Sequence, residues 1–415
     1  MVLLLIGSTM LHFALAFGIS TAKNAAIKKL LLSLGVAASL GALFWYKYAG
    51  FLLGTVIGLS FHAPKLPIGI SFYTFQILTY TVDVYRGDVA VQKNPFRLLL
   101  YVSCFPQLIA GPIVRYADVE QALSARTVAL EDFAYGMRRF FVGLGKKVLL
   151  ANICGQALET CMDAPAFSVV GAWLSLLLYT LQIYFDFSAY SDMAIGLGRV
   201  LGFRYRENFR YPYISLTASE FWRRWHISLG DFFRTYVYIP LGGSRKGRLR
   251  TILNLLIVWA LTGFWHGASW NFLFWGLYWF VLLLIDKQFS RLWNRFPKPL
   301  LRFGTFVLAM LGWGIFYHVD LSALVRHFGA LVGIGASGWI DETTLSVLKR
   351  YALFAVAAIV CCFPILPACE TFLEKHPAAE RIGTPLATAC SVLIAVVSLF
   401  FLVGQSYNPF IYFRF

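Results

Sequence analysis

Charge is what this chain has least of. Only 13% of its 415 residues are Asp, Glu, Lys or Arg, against roughly 25% in ordinary soluble domains. With 59% hydrophobic residues and a mean hydropathy of +0.68, a water-soluble fold would lack the polar surface to cover itself. Length divided by about 150 suggests two or three soluble domains, but hydropathy overrides that prior, and one helical membrane domain over 1–415 is expected. Acids are the scarcer sign, 20 Asp and Glu against 36 Lys and Arg, for a net charge of +16. The basic residues sit in short loops between apolar runs. Their excess therefore reads as membrane orientation and contact with anionic headgroups, and no nucleic-acid partner is expected.

Metal-ligand spacing is also missing. Of seven cysteines, Cys361, Cys362, Cys369 and Cys390 lie in or beside apolar segments, while Cys104, Cys154 and Cys161 stand apart. Small buried side chains fit this better than a disulfide framework, and no metal is assigned. The first apolar run has neither a basic start nor a small-residue cleavage pattern, so it reads as a retained span. Internal repeats and low-complexity linkers are absent.

What the chain does have is long apolar runs and aromatic rings, 17% of all residues, of the kind that gather at lipid–water interfaces. A bilayer core of about 30 Å needs roughly 20 apolar residues per helix. That ruler picks out 1–19, 30–60 (two short helices or one bent one), 66–82, 97–114, 139–160, 169–187, 252–264, 267–285, 303–318, 351–368 and 386–404. The expected fold is all-α, a polytopic bundle of about ten or eleven transmembrane helices in the plasma membrane. Gly111-Pro112 should break the run that it ends, because proline removes a backbone donor.

The stretch 202–251 differs from its surroundings. It carries Arg204, Arg206, Arg210, Arg223, Arg224, Arg234, Arg245, Lys246, Arg248 and Arg250, interleaved with Phe221, Trp222, Trp225, Phe232, Phe233, Tyr236 and Tyr238. The charge bias places it on the cytoplasmic side, and the rings predict re-entrant or interfacial helices with basic heads outside and apolar faces turned into protein.

Two histidines stand out. His266, in LTGFWHGASW (261–270), lies between two apolar runs with a glycine and indoles beside it. An ionisable residue inside a membrane is costly and is a functional candidate by default. A neutral imidazole can take the proton of an attacking hydroxyl near pH 7. A structural histidine hydrogen-bonded between helices is the competing reading. His226, in EFWRRWHISL (220–229), sits in the basic aromatic stretch, and an interfacial histidine without catalytic part competes equally there. Asp186 and Asp192 in YFDFSAYSDMAIG are next. Six residues apart on a helix they are about 600° round and do not share a face. They either line a polar path and fix a histidine tautomer, or act as polar glue between helices. His12, His62, His318, His327 and His376 lie outside any such cluster.

Several stretches together resemble the bacterial membrane-bound O-acyltransferase family: FYTFQILTYTVDVYRG (72–87), FPQLIAGPIVRY (105–116), QIYFDFSAYSDMAIGLGRVLGF (182–203), FWRRWHISLGDFFRTYVYIPLGGSRKG (221–247), LTGFWHGASWNFLFWGLY (261–278) and NPFIYFRF (408–415). The likeness covers about residues 60–290, the expected catalytic core, plus the C-terminus. YIPLGG after WHISL is similar to the alginate O-acetyltransferase branch more than to the D-alanyl transfer branch. The resemblance implies that His266 is the catalytic histidine and His226 the second active-site histidine. It also implies a central funnel, an acyl thioester donor (acetyl-CoA or carrier-linked) from the cytoplasmic side, no bound cofactor, and an extracytoplasmic partner protein that completes acetylation of an exported polysaccharide. Trp225 and Arg224 join Asp186 and Asp192 as substrate-path candidates, and His226 or Trp225 would orient the thioester or steady the developing oxyanion, a role that can contribute about 3–4 kcal/mol.

Three departures from the family pattern are visible. Thr235 stands where aspartate is common, Ser244 where asparagine is common, and the chain begins inside the usual N-terminal region, short of one or two spans. D-alanyl transfer to teichoic acid is the alternative within the enzyme class. A transporter or flippase, or a scaffold without activity, is the alternative outside it.

Overall fold

A computed structural model describes residues 2–109, 111–293 and 295–404, and among these every regular element is helical. In chain order the helices are α1 (Val2–Thr21), α2 (Ala25–Leu43), α3 (Ile70–Arg86), α4 (Pro95–Ser103), α5 (Phe105–Leu108), α6 (Tyr116–Ser124), α7 (Leu130–Gly145), α8 (Asn152–Met162), α9 (Val169–Val200) and α10 (Ala218–Arg224). They continue with α11 (Ile227–Phe233), α12 (Arg248–His266), α13 (Trp270–Gln288), α14 (Ser290–Trp293), α15 (Lys298–Tyr317), α16 (Leu321–Leu331), α17 (Glu342–Cys361), α18 (Ile365–Lys375) and α19 (Pro377–Gly404). Seven described helices are long and apolar enough to cross a membrane: Val2–Thr21, Ala25–Tyr48, Val169–Val200, Arg248–His266, Lys298–Tyr317, Glu342–Cys361 and Arg381–Gly404. The motif NPFIYFRF (408–415) lies outside the described residues.

Local chemistry explains where the helices depart from the hydropathy ruler. The apolar run 97–114 is not one helix. Cys104 is extended between α4 and α5, because Pro106 has no N–H to carry the α4 ladder forward and instead sits in the first turn of α5. Gly111 then takes φ +95°, and the chain stays non-helical to Arg115. The run 30–60 is a helix that continues through wide turns at Phe44–Tyr48 and Gly50–Val56. The run 139–160 belongs to a longer helical path, α7 to α8, joined by wide turns at Lys146–Ala151, the kind of local widening that re-aims side chains.

The described chain divides into two compact units, residues 2–137, 194–207 and 234–236 in one and 138–193, 208–233 and 237–404 in the other. In the first, His12 bridges three helices, with Nδ1 2.7 Å from Thr81 Oγ1 and Nε2 2.8 Å from Ser39 Oγ. Its polar atoms are thereby satisfied inside an apolar bundle. The Tyr236 hydroxyl donates to Asp83 at 2.7 Å, and the neighbouring Thr235 carbonyl accepts from Arg86 Nη2 at 3.3 Å. Thr235 thus contributes its backbone to this contact.

The second unit holds the histidines. Its core is aromatic: Trp275, Trp279, Trp313, Phe185 and Phe221 are all buried. α12 and α13 cross at two glycines. A methyl on Gly263 would collide with the Phe272 carbonyl, and one on Gly276 with the Trp259 carbonyl. The close crossing holds the last turn of α12, with His266, against the first turns of α13. Gly263→Ala must push two backbones apart and is expected to lower stability by about 1–3 kcal/mol or more. The midpoint of thermal unfolding in detergent measures it; an unchanged midpoint would mean the crossing yields freely.

Candidate functional site

α10 starts on a Thr-x-x-Glu cap. Thr217 Oγ1 accepts from Glu220 N at 3.2 Å, an N-cap that satisfies one orphan donor, and Glu220 Oε2 accepts from Leu216 N at 2.8 Å, just ahead of the cap. Asp286 of α13 accepts from Ser219 N at 2.8 Å, which ties this start to the bundle. Seven residues later the helix ends at Arg224, and Trp225 is extended. The stretch 202–251, expected to form interfacial or re-entrant helices, contains two short ones, α10 and α11. Phe221, Trp225, Leu229, Phe232 and Phe233 are buried, while Arg223, Arg234 and Arg245 are exposed.

His226 sits in the corner between α10 and α11 with φ +44°, a left-handed conformation that costs a non-glycine residue about 1–3 kcal/mol and is tolerated where the surroundings enforce it. The enforcement is visible. Ile227 N donates to Asn208 O at 3.0 Å, Arg210 N donates to Arg224 O at 2.9 Å, and the His226 carbonyl accepts from Leu229 N and Gly230 N. The ring is buried, edge-on to Phe187 with centroids 4.6 Å apart. Its Nδ1 lies 3.2 Å from Asn208 Oδ1. Its Nε2 is buried with no hydrogen-bond partner among the described residues. Burial pushes the imidazole pKa well below its usual value, which keeps the ring neutral.

His266 ends α12, with Gly267 extended behind it. It is partly exposed, unlike His226. Three rings pack around it: Trp265 at 4.9 Å, Trp275 at 5.1 Å and Phe316 at 5.1 Å between centroids. Asn271 holds Phe316 in place, donating from Nδ2 to its carbonyl at 3.0 Å. Trp265 also meets His226, 6.1 Å between centroids, so one indole touches both histidines. The indole N–H of Trp275 has no acceptor among the described residues.

The other candidates lie in the same unit in different roles. Trp225 is a wall of the aromatic core, 4.6 Å from Trp313 and 5.0 Å from Phe209. Arg224 clamps Glu220 at 2.7 Å and donates to the Arg210 carbonyl at 3.1 Å, which braces the segment leading back to Asn208. Asp186 is paired with Lys147 at 2.5 Å, and Asp192 with Arg139 at 2.7 Å and Lys146 at 2.6 Å. Consecutive lysines in the wide turns after α7 thus reach two carboxylates on separate faces of α9. The group against Nδ1 of His226 is the amide of Asn208, which carries no periodic signal in the sequence. Ser244 is exposed, and Asn254 supports its turn by donating to the Gly243 carbonyl at 2.9 Å. His318 and His327 are hydrogen-bonded to each other at 2.8 Å, and His327 reaches Ala172 O at 3.0 Å, a bridge from α16 to α9.

A family model for the membrane-bound O-acyltransferase family matches residues 90–317, a range that includes both histidines. The chain is 38% identical to a probable alginate O-acetylase AlgI of Pseudomonas putida, over 92% of this chain and 84% of that one. It is 32% identical to a peptidoglycan O-acetyltransferase of Helicobacter pylori, over 99% of this chain and 87% of that one. A teichoic acid D-alanyltransferase of Bacillus subtilis is 30% identical over 55% of this chain and 60% of its own length.

Proposed function

The chain belongs to the membrane-bound O-acyltransferase family, and from that premise we propose that it moves acetyl groups from a cytoplasmic thioester to a hydroxyl, for O-acetylation of an exported cell-surface polysaccharide. It is a multi-pass membrane protein and an O-acyltransferase. The observation that supports the site is the pair of histidines joined by the Trp265 indole. His266, the more accessible of the two, is the base. The hydroxyl oxygen attacks the thioester carbonyl carbon while His266 takes its proton; the carbon–sulfur bond breaks, and the proton passes to the departing thiolate. Aromatic walls around His266 keep bulk water from the thioester.

The tetrahedral oxyanion needs donors. The indole N–H of Trp275, beside His266 and without an acceptor among the described residues, is the donor we assign. His226 Nε2, unpartnered and neutral, accepts a hydrogen bond from substrate instead. A separate extracytoplasmic partner completes delivery to the polysaccharide. Acetyl transfer is favoured over D-alanyl transfer because likeness to the two O-acetylating relatives spans nearly the whole chain, and likeness to the D-alanyl enzyme about half of it.

The test is the ester content of exported polysaccharide in a strain lacking this gene, with and without the gene restored. O-acetyl esters should disappear and return with it. D-alanyl esters behaving that way would select the teichoic-acid reading, and no change in either ester would defeat both.

A further inference from the structure

We propose that Asn208 is a positioning residue that holds His226 in the tautomer with hydrogen on Nδ1, leaving Nε2 as a bare acceptor for a hydroxyl of the acyl acceptor other than the one His266 deprotonates; this rests on the histidine-centred site above. The assignment follows from atoms whose roles are not ambiguous. Ser228 N, a backbone donor, points at Asn208 Oδ1 from 3.2 Å. The atom facing this corner is therefore the amide oxygen. The amide nitrogen, on the other side, donates to Ser191 Oγ of α9 at 3.2 Å. An amide oxygen only accepts, so the His226 nitrogen 3.2 Å away must carry the hydrogen. The Ser228 hydroxyl shares the same amide oxygen. It is 2.9 Å from Asn208 Oδ1 and 3.5 Å from His226 Nδ1, so its hydrogen goes to the amide. In a neutral ring, hydrogen on Nδ1 means none on Nε2.

A ring in this state cannot donate to an oxyanion. It can accept from a hydroxyl. Asn208 therefore decides which substrate His226 serves, namely the alcohol, which it binds through a hydroxyl that does not attack. Its side chain is fully buried and is held from α9 and α11 at once. The corner also has supports that do not involve the side chain: the bonds from Ile227 N to Asn208 O and from Arg210 N to Arg224 O are main-chain. A change of side chain leaves those in place.

The experiment compares native protein with Asn208→Leu, Asn208→Asp and His226→Ala in reconstituted membranes, reading kcat and KM for the acyl acceptor across the pH range. Asn208→Leu should lower kcat about 10- to 100-fold, the usual cost of removing a histidine's orienting partner, with little change in the KM of the thioester. Asn208→Asp keeps an acceptor oxygen at Nδ1 and should recover much of that loss. Its negative charge stabilises imidazolium, so the acid limb of the kcat profile should move to higher pH. Among the described residues, the groups recorded against the native His226 ring carry no charge: Phe187, Phe209, Trp265, Asn208 and Ser228. A purely structural Asn208 would alter protein yield and leave the limb where it was. Native kcat in Asn208→Leu, or an unmoved limb in Asn208→Asp, overturns the proposal while the His226 reading stands. Native turnover in His226→Ala overturns both. If Asn208→Leu does not accumulate, the limb in Asn208→Asp decides.

Discussion

His266→Ala should reduce acetyl transfer about 100- to 10,000-fold, the range that a positioned general base contributes, at membrane levels equal to those of the native protein. The expectation comes from how the ring is placed. It stands at the terminus of α12, where Gly267 turns the chain away, and its faces are set by Trp265, Trp275 and Phe316. A base must be reachable, and His266 is the more exposed of the two. Removing the ring leaves those aromatic neighbours on their own helices, so the bundle should survive. The measurement is acetyl transferred per folded molecule, with folding followed by size-exclusion chromatography. His266→Gln is the companion variant: it keeps hydrogen-bonding capacity without basicity and should be nearly as inactive. Turnover surviving in both would make His266 a packing residue and return the role of base to be found elsewhere.

The second large effect concerns stability. Asp186→Ala should destabilise the protein by about 3–5 kcal/mol, because removing one partner of a buried ion pair strands the other charge. The Asp186 and Lys147 side chains are 4% and 11% exposed, and Asp186 lies on α9, one of the seven spanning helices. An ammonium there that loses this carboxylate has little water to turn to. The double variant Lys147→Met/Asp186→Leu should recover most of the loss, since replacing a whole buried pair by apolar groups of similar size is often neutral. Thermal unfolding in detergent compares the three. A double variant as unstable as the single one would show that the pair is not the source. Turnover per folded molecule adds a second reading. If the double variant turns over normally, Asp186 binds helices together; if it folds well and is inactive, Asp186 lines the substrate path.

Much of this was legible from order along the chain. Apolar runs of membrane length identify α1, α9, α12, α15 and α19, because hydropathy is a local property and each run meets lipid or core wherever it packs. The motifs around His226 and His266 carry the family likeness, and the ring-rich basic stretch 202–251 announces short, partly buried helices. The run 97–114 was legible only in part. Its break at Gly111-Pro112 can be read directly, whereas the earlier break at Cys104 is a matter of how Pro106 is placed within its turn.

Pairing is what the linear order does not contain. Asp186 meets a lysine 39 residues away, Asp192 an arginine 53 away, and His226 an amide 18 away, on the far side of α10. Any of the chain's acids, bases and amides could serve such contacts, and nothing in spacing or hydropathy ranks them. Composition, long apolar runs and ordered motifs determined by themselves that this is an all-helical membrane protein of the acyltransferase family. Only tertiary structure decided that the aspartates answer to lysines and arginine, that Trp265 touches both histidines and that Asn208 faces His226. The physical reason is that burial is a property of each segment, while a hydrogen bond or ion pair exists only where two segments have been brought within about 3 Å of each other.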